Sequence, residues 1–135
     1  SGSSGGELIH WNLETAQCLR TIRSTSVTSK PVSCVHADFN EMIVLAGFAK
    51  VVKLWDLKTG DLLKFFAGHI ADITSLVVDF QEMIAVSGSS DESIMSWELS
   101  SGRRLEHIAC GAAVHHLCAS MASMHALTAC RDGKV

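Results

Sequence analysis

Three tryptophans recur along the chain at a nearly constant spacing. Trp11, Trp55 and Trp97 lie 44 and 42 residues apart. Residues 1–22 align with residues 87–108 without a gap, from a shared Ser-Gly-Ser-Ser opening to a final Ile. A period in the low forties is typical of proteins that stack one supersecondary unit several times. The spacing therefore predicts a repeat architecture, and such architectures present extended binding surfaces more often than catalytic pockets.

The clearest copy of the unit reads as four short β-strands. Its segments alternate between apolar and polar residues, and Gly, Ser and Asp turns separate them without helical periodicity. The predicted strands are 73–78, 83–87, 93–97 and 103–108. Residues 32–47 match residues 73–88 at an offset of 41 and share an Asp-Phe-x-Glu-Met turn. The chain is therefore predicted to be all-β, with one four-stranded antiparallel sheet in each unit.

One unit carries a set of residues that resembles the WD repeat. Gly68-His69 opens this unit, Ser87 and Asp91 follow, and Trp97-Glu98 stands where the family has Trp-Asp. The resemblance covers essentially the whole chain. It implies WD-repeat β-propeller blades, each a four-stranded antiparallel sheet, with about three blades that do not close a ring by themselves.

The same resemblance implies a structural tetrad of His69, Ser87, Asp91 and Trp97. In WD repeats these positions form a hydrogen-bonded chain. Here Trp97 would donate to Ser87, Ser87 would contact His69, and His69 would pair with Asp91. Such partners matter because a buried polar group without one costs about 1–3 kcal/mol.

By this resemblance, residues 1–135 are expected to form one partial propeller domain. The repeat units are approximately 1–22 (the end of a first unit), 23–66, 67–108 and an incomplete 109–135. Residues 1 and 128 fall at equivalent positions, so a section of a longer repeat array is expected. The opening Ser1–Gly6 is similar to an expression tag, but it also aligns with residues 87–92. The alignment favours native sequence, and both origins stay open.

The other units keep only part of the tetrad pattern. The middle unit has Leu45 or Ala46 where the family has Ser, and no Gly-His precedes it. The repeat positions that remain are Trp11, Trp55, Asp56, Thr128 and Asp132. We expect these units to depend on apolar packing and to be less stable.

Loops are the expected place for a binding site, since a rigid scaffold fixes their positions. In a propeller, the loop that holds His69 and the tight turn that holds Asp91 lie on one face. The candidate partner-binding residues there are Lys30, Phe48, Ile70, Asp72, Ser89, Ser90 and Arg131. Their mixed character suits a protein or peptide partner. A second group of lysines is interpreted as ordinary solvated strand positions: Lys50, Lys53, Lys58 and Lys64.

The resemblance implies a non-catalytic scaffold for protein–protein interactions. The alternative is a propeller region that recruits substrate for a larger multidomain enzyme or serves as a ubiquitin-ligase-type adaptor. Further blades of a parent chain, or self-association, are additional expected partners. A hydrolase triad of Ser87, His69 and Asp91 is disfavoured, because the sequence shows neither a nucleophile elbow nor an oxyanion-hole signal.

Charge and composition argue against several other functions. The net charge is −3, so no basic surface for nucleic acid or an anionic membrane is expected. His115 and His116 are adjacent on a predicted strand and point to opposite faces, which disfavours a shared metal ion. We predict no metal and no cofactor. The five cysteines form no Cys-x-x-Cys pair, which favours reduced thiols and a cytoplasmic location, with the nucleus as a second option.

Overall fold

The structure, a computed structural model, describes residues 1–23, 30–120, 123 and 125–131. Within these residues the chain forms twelve β-strands and no helix. The strands are β1 (Glu7–Asn12), β2 (Gln17–Arg23), β3 (Val32–Asp38), β4 (Ile43–Phe48), β5 (Val51–Asp56), β6 (Leu62–Ala67), β7 (Ile73–Asp79), β8 (Ile84–Ser89), β9 (Ser93–Glu98), β10 (Arg104–Ala109), β11 (Val114–Ser120) and β12 (His125–Cys130). The predicted all-β class is confirmed.

The strands form antiparallel sheets in which each strand pairs with the next along the chain. β3–β6 and β7–β10 are four-stranded sheets, and β1–β2 and β11–β12 are two-stranded sheets. Successive sheets pack through their first strands, because β7 contacts β3 on one side and β11 on the other. These meanders are the blades that the repeat pattern predicted, and they do not close into a ring.

The two-stranded sheets expose side chains whose counterparts in the four-stranded sheets are buried. Trp11 is 43% exposed, whereas the equivalent Trp97 is 2% exposed. Leu13 is 93% exposed, whereas the equivalent Leu99 is fully buried. These two positions of the repeat are therefore buried only where all four strands are present.

The turn between the first two strands of each unit recurs for a conformational reason. The Asp38 Oδ1 atom accepts the backbone N–H groups two and three residues later, at 2.8 and 3.3 Å. Asp79 Oδ1 makes the same two contacts at 2.9 and 3.1 Å. Each turn then ends on a methionine in the left-handed region, Met42 with φ 56° and Met83 with φ 54°. Both methionine side chains pack against the hydrophobic core, which offsets the cost of that backbone.

A glycine at the same position of successive units, on β4 and β8 and at an isolated bridge before β1, lets neighbouring sheets approach closely. A Cβ atom on Gly88 would lie 2.6 Å from Val114 Cγ1, and one on Gly2 would lie 2.5 Å from Val32 Cγ1. Real Cβ atoms essentially never come so near another heavy atom. At Gly47 the equivalent contact, with Ile73 Cγ2, would be 3.1 Å, and Cys34 Sγ of the same sheet would be nearer at 2.7 Å. Each glycine therefore meets the residue that begins the first strand of the next sheet.

Substitution of this glycine is expected to push two sheets apart. Gly88→Ala should lower the free energy of unfolding by about 1–3 kcal/mol, because the added methyl overlaps a packed side chain. Urea titration measures the change. In the double variant with Val114→Ala, the loss should be smaller than the sum of the two single losses.

Gly5→Ala is the matched control for this substitution. The nearest atom to a Cβ at Gly5 is Ser3 Oγ, at 3.6 Å, which is an ordinary contact. An equal loss at Gly5, or additive losses in the double variant, would contradict the close sheet contact.

Candidate functional site

The four predicted tetrad residues meet in one buried hydrogen-bonded chain. His69 lies in the loop before β7, Ser87 on β8, Asp91 in the following tight turn and Trp97 on β9. His69 Nδ1 is 2.8 Å from Asp91 Oδ2, and His69 Nε2 is 2.8 Å from Ser87 Oγ. The Trp97 indole N–H donates to Ser87 Oγ at 2.8 Å. The tetrad therefore ties together a loop, a turn and two strands of one sheet.

The donor and acceptor roles within the tetrad follow from two groups that can each play only one role. An indole N–H only donates and a carboxylate only accepts. Ser87 Oγ therefore accepts from Trp97, and with a neutral imidazole its hydroxyl donates to His69 Nε2. The other ring nitrogen of His69, Nδ1, then donates to Asp91 Oδ2. Every polar side-chain group of the tetrad has a hydrogen-bond partner, and such a complete network rigidifies the sheet.

Asp91 is the most heavily hydrogen-bonded member of the tetrad. Its Oδ2 atom also accepts the backbone N–H of Ile70 at 2.9 Å. Its Oδ1 atom accepts the Ser93 hydroxyl at 2.6 Å and the Ser93 backbone N–H at 3.1 Å. Burial alone would raise the pKa of this carboxyl, but the hydrogen bonds from Ser93, Ile70 and His69 outweigh it. The pKa of Asp91 therefore falls from its ordinary 3.8 to about 2.

Ser93 is a fifth participant that was not identified from the sequence. It is buried, and its hydroxyl also lies 3.3 Å from His69 Nδ1. A signal was present, because a Ser two residues after a turn Asp can bond to that carboxylate. The family pattern drew attention to the other four positions.

The tetrad cannot serve as a hydrolase triad in this arrangement. Ser87 is fully buried. Its oxygen already accepts the Trp97 indole N–H, and its position between two strands leaves a substrate no access. The Ser-His-Asp set is therefore part of the core.

The polar residue after each tryptophan caps a turn. Asp56 Oδ1 accepts the backbone N–H groups two and three residues later, at 2.6 and 3.0 Å. Asn12 Oδ1 makes the same contacts at 2.9 and 3.1 Å. Glu98 accepts the hydroxyl of Ser101 instead. A Thr or Ser three positions after this residue recurs in all three units and was an available signal for the cap.

The units without a full tetrad use different partners for their tryptophans. Trp55 is 2% exposed and packs edge-on against Phe48, with ring centroids 5.2 Å apart. The strand register places Ala46 at the position of Ser87. Trp11 donates its indole N–H to Ser1 Oγ at 3.1 Å on an exposed face. Thr128 is half-buried on β12, and Asp132 lies outside the described residues.

Five of the seven candidate partner-binding residues are exposed: Lys30, Ile70, Asp72, Ser90 and Arg131. The assignment of Ser89 to a contact surface is wrong, and Phe48 reaches the loop face only as part of the lining of a cavity. Phe48 is 4% exposed because it packs on Trp55, and Ser89 is fully buried. The Ser89 hydroxyl donates to the carbonyl oxygen of Asp72 at 3.0 Å. Both side chains support the loops from beneath.

Backbone hydrogen bonds hold the exposed loops at one edge of the sheets. The Ser90 N–H donates to the Asp72 carbonyl at 2.9 Å. One repeat later, the Arg131 N–H donates to the Ala113 carbonyl, also at 2.9 Å. The loop before the first strand is thus joined to the turn after the second strand in both units. This edge forms a single face, which we call the loop face.

A lysine-lined cavity of about 340 Å³ opens on the loop face. Its lining residues are Lys30, Phe48, Ala49, Lys50, Val51, Lys53 and Asp72. The Lys53 ammonium lies 5.4 Å from the centroid of the Phe48 ring, a cation–π distance. Burial lowers the pKa of Lys53. Lys50 is exposed, as interpreted from the sequence, whereas the half-buried Lys53 is not an ordinary solvated position.

The described part of the chain has neither a metal-binding cluster nor a membrane-spanning helix. No group of three or more His, Cys, Asp or Glu side chains there is arranged to hold a metal ion. His115 and His116 are both exposed. None of the described residues belongs to a helix long and apolar enough to cross a membrane.

Comparison with known proteins identifies the same architecture. Residues 60–98 match the family model of the WD domain, G-beta repeat. The solved structure "Crystal structure of RRP9 WD40 repeats" superposes with a TM-score of 0.78 at 17% identity and covers 94% of this chain and 46% of that one. "Structure of U3-55K" gives a TM-score of 0.74 at 21% identity and covers 86% of this chain and 37% of that one. These two similarities show the fold, which is that of β-propeller blades.

Curated relatives place the blades in a family. WD repeat-containing protein 18 from Homo sapiens is 35% identical over 71 residues, which are 53% of this chain and 16% of that protein. Protein ROOT INITIATION DEFECTIVE 3 from Arabidopsis thaliana is 32% identical over 99 residues, which are 72% of this chain and 22% of that protein. The chain carries a WD repeat and is similar to WD-repeat proteins, which are generally interaction scaffolds. It spans about a fifth of the length of these two relatives.

Removal of a tetrad side chain is expected to destabilise the protein strongly. Trp97→Ala and His69→Ala should each lower the free energy of unfolding by about 2–4 kcal/mol, because they create a cavity and leave buried polar groups without partners. His36→Ala is the control, since His36 is an exposed residue on β3. Denaturant titration compares the three variants. Equal losses at His36 and His69 would contradict the structural role of the tetrad.

Acid is expected to weaken the protein through Asp91. The pKa of this carboxyl is about 2 in the folded chain and 3.8 as its ordinary value. Its stabilising contribution is therefore complete above about pH 5 and is lost as the pH falls towards 2, because the unfolded chain takes up the proton first. We expect the advantage of the native protein over Asp91→Asn to shrink by about 2 kcal/mol between pH 5 and pH 2. Denaturant titrations at both pH values measure it, and an unchanged difference would contradict the assignment.

Proposed function

We propose that this chain is a non-catalytic scaffold that binds a protein or peptide through its loop face. The observation that carries the proposal is the position of Ile70. This large apolar side chain is 77% exposed, yet its backbone N–H is hydrogen-bonded to Asp91 of the buried tetrad. An exposed apolar residue on a fixed backbone is suited to be an anchor at an interface, since little conformational entropy is lost when a partner covers it.

The neighbouring residues support the same interpretation. The Ser89 hydroxyl lies 3.2 Å from the Ala71 carbonyl and 3.0 Å from the Asp72 carbonyl. The Ser90 backbone N–H adds a third hydrogen bond to this loop. Residues 70–72 are therefore held in place before any partner arrives. Polar side chains beside an apolar anchor correspond to the usual rim and centre of a protein interface.

Site-specific crosslinking tests the proposal. A photoreactive amino acid at position 70 should capture a partner protein from cell extract, whereas one at position 81 should not. Gln81 is an exposed residue in the turn after β7, at the opposite end of the same strand. Ile70→Asp, with an unchanged melting temperature, should abolish binding of the captured and then purified partner, and Gln81→Asp should not.

Two outcomes would overturn the proposal. The first is equal crosslinking from positions 70 and 81, which would indicate contact without a preferred face. The second is unchanged affinity of the purified partner for the Ile70→Asp variant. The location of the protein in the cytoplasm or nucleus stays a prediction, as does any activity of a longer protein that contains these blades.

A further inference from the structure

The lysine-lined cavity has a charge opposite to that of the chain as a whole. Three lysines line it together with a single acid, Asp72, whereas the net charge of the chain is −3. Clustered charges of one sign in a concave site raise the local potential and attract the opposite charge. The cavity thus favours an anionic group over a cationic one.

Comparison of successive units shows how unusual these lysines are. By strand register, Lys53 occupies the position that Met95 holds in the next sheet. Met95 is 3% exposed and belongs to the hydrophobic core. Lys53 is half-buried at this position, and lysine is uncommon in such a place because withdrawing its ammonium from water is costly. The tight turn likewise carries Lys50 at an offset of 41 from Asp91 of the tetrad. At these positions the β7–β10 sheet therefore has the hydrogen-bonded tetrad, whereas the β3–β6 sheet has the lysine-lined cavity.

The cavity also constrains the conformation of its central cation. The Lys53 ammonium lies over the Phe48 ring at 5.4 Å. Phe48 is itself locked by its edge-on contact with Trp55. Partial burial lowers the pKa of Lys53, which shows that its charged form is incompletely solvated. A carboxylate that entered the cavity would be attracted by the three lysine ammonium groups that line it, and the attraction is stronger there than in bulk water.

From these observations we propose that the lysine-lined cavity binds the carboxylate side chains of an acidic peptide segment in the partner protein. The proposal rests on the proposed function, because it names the chemistry of what the loop face binds. The volume of about 340 Å³ accommodates one or two side chains. The net charge of −3 favours a peptide over a nucleic-acid strand, which requires a more extensive basic surface. Asp72 lines the cavity and lies two residues from exposed Ile70. The segment would therefore carry acidic residues for the cavity and an apolar residue for Ile70.

A pair of matched peptides tests this inference. The first is a short fluorescent peptide that alternates Glu with Leu, and the second replaces every Glu with Gln. Fluorescence anisotropy with the full chain should show binding of the Glu peptide and binding at least about tenfold weaker for the Gln peptide. The affinity for the Glu peptide should fall as salt is raised, because exposed charges are screened.

Variants of the chain locate the interaction. Lys50→Glu and Lys53→Met should each weaken binding of the Glu peptide by about tenfold, and Lys53→Arg should retain it. Methionine is the residue that the next sheet carries at this position, so the fold should tolerate it. Lys58→Glu is the matched control, because Lys58 is exposed in the turn at the opposite end of β5 and the charge change equals that of Lys50→Glu.

Several results would overturn the inference. These are equal binding of the Glu and Gln peptides, an equal loss in Lys58→Glu and Lys50→Glu, and displacement of the peptide by a single-stranded oligonucleotide at lower concentration than by unlabelled peptide. The crosslinking at position 70 separates the two proposals. If Lys53→Met still crosslinks its partner through position 70 and the Glu peptide does not bind, the scaffold function stands and the acidic preference falls.

Discussion

The close approach of neighbouring sheets at a repeated glycine is the constraint on which the rest of the structure depends. At Gly2, Gly47 and Gly88 there is no side chain, so the first strand of the next sheet can pack directly against the backbone. The β-branched residue that begins each of these next strands fills the space. Because the contact recurs once per unit, each sheet adopts the same relation to its neighbour. The loops at the shared edge then align along one face.

The tetrad adds a second level of order by joining the core to this face. Asp91 accepts one hydrogen bond from the imidazole of His69 inside the sheet and another from the backbone N–H of Ile70 at the surface. A single carboxylate thus fixes the backbone of an exposed loop to the rigid core of the sheet. This coupling is strong because the carboxylate lies away from water, where hydrogen bonds to charged groups are most stabilising.

The two complete sheets have diverged in how they use equivalent positions. One sheet fills the interior between β7, β8 and β9 with His69, Ser87 and Trp97. The other has Ala46 in place of the serine and packs Phe48 on Trp55 instead. Because Trp55 is packed by apolar contacts, this sheet does not need the hydrogen-bonded residues of the tetrad. Lys50 and Lys53 can therefore occupy the nearby positions. A stabilising site in one unit therefore corresponds to a candidate recognition site in the next.

The period, the alternation and the turn residues were sufficient to predict most of the strands and sheets, because these features depend on local chemistry. An Asp that caps a turn, or a Gly-Ser-Ser-Asp turn, acts within a few residues of itself. The exposure of Phe48, Ser89 and Lys53 was misjudged for the opposite reason. Whether such a side chain lies in the core, beneath a loop or in a cavity depends on the neighbouring strand and the next sheet. The sequence by itself determined the repeat, the class of fold and the tetrad positions. Only the tertiary structure decided which side chains reach the loop face and that the lysines meet in one cavity, because those relations join residues that are distant in the chain.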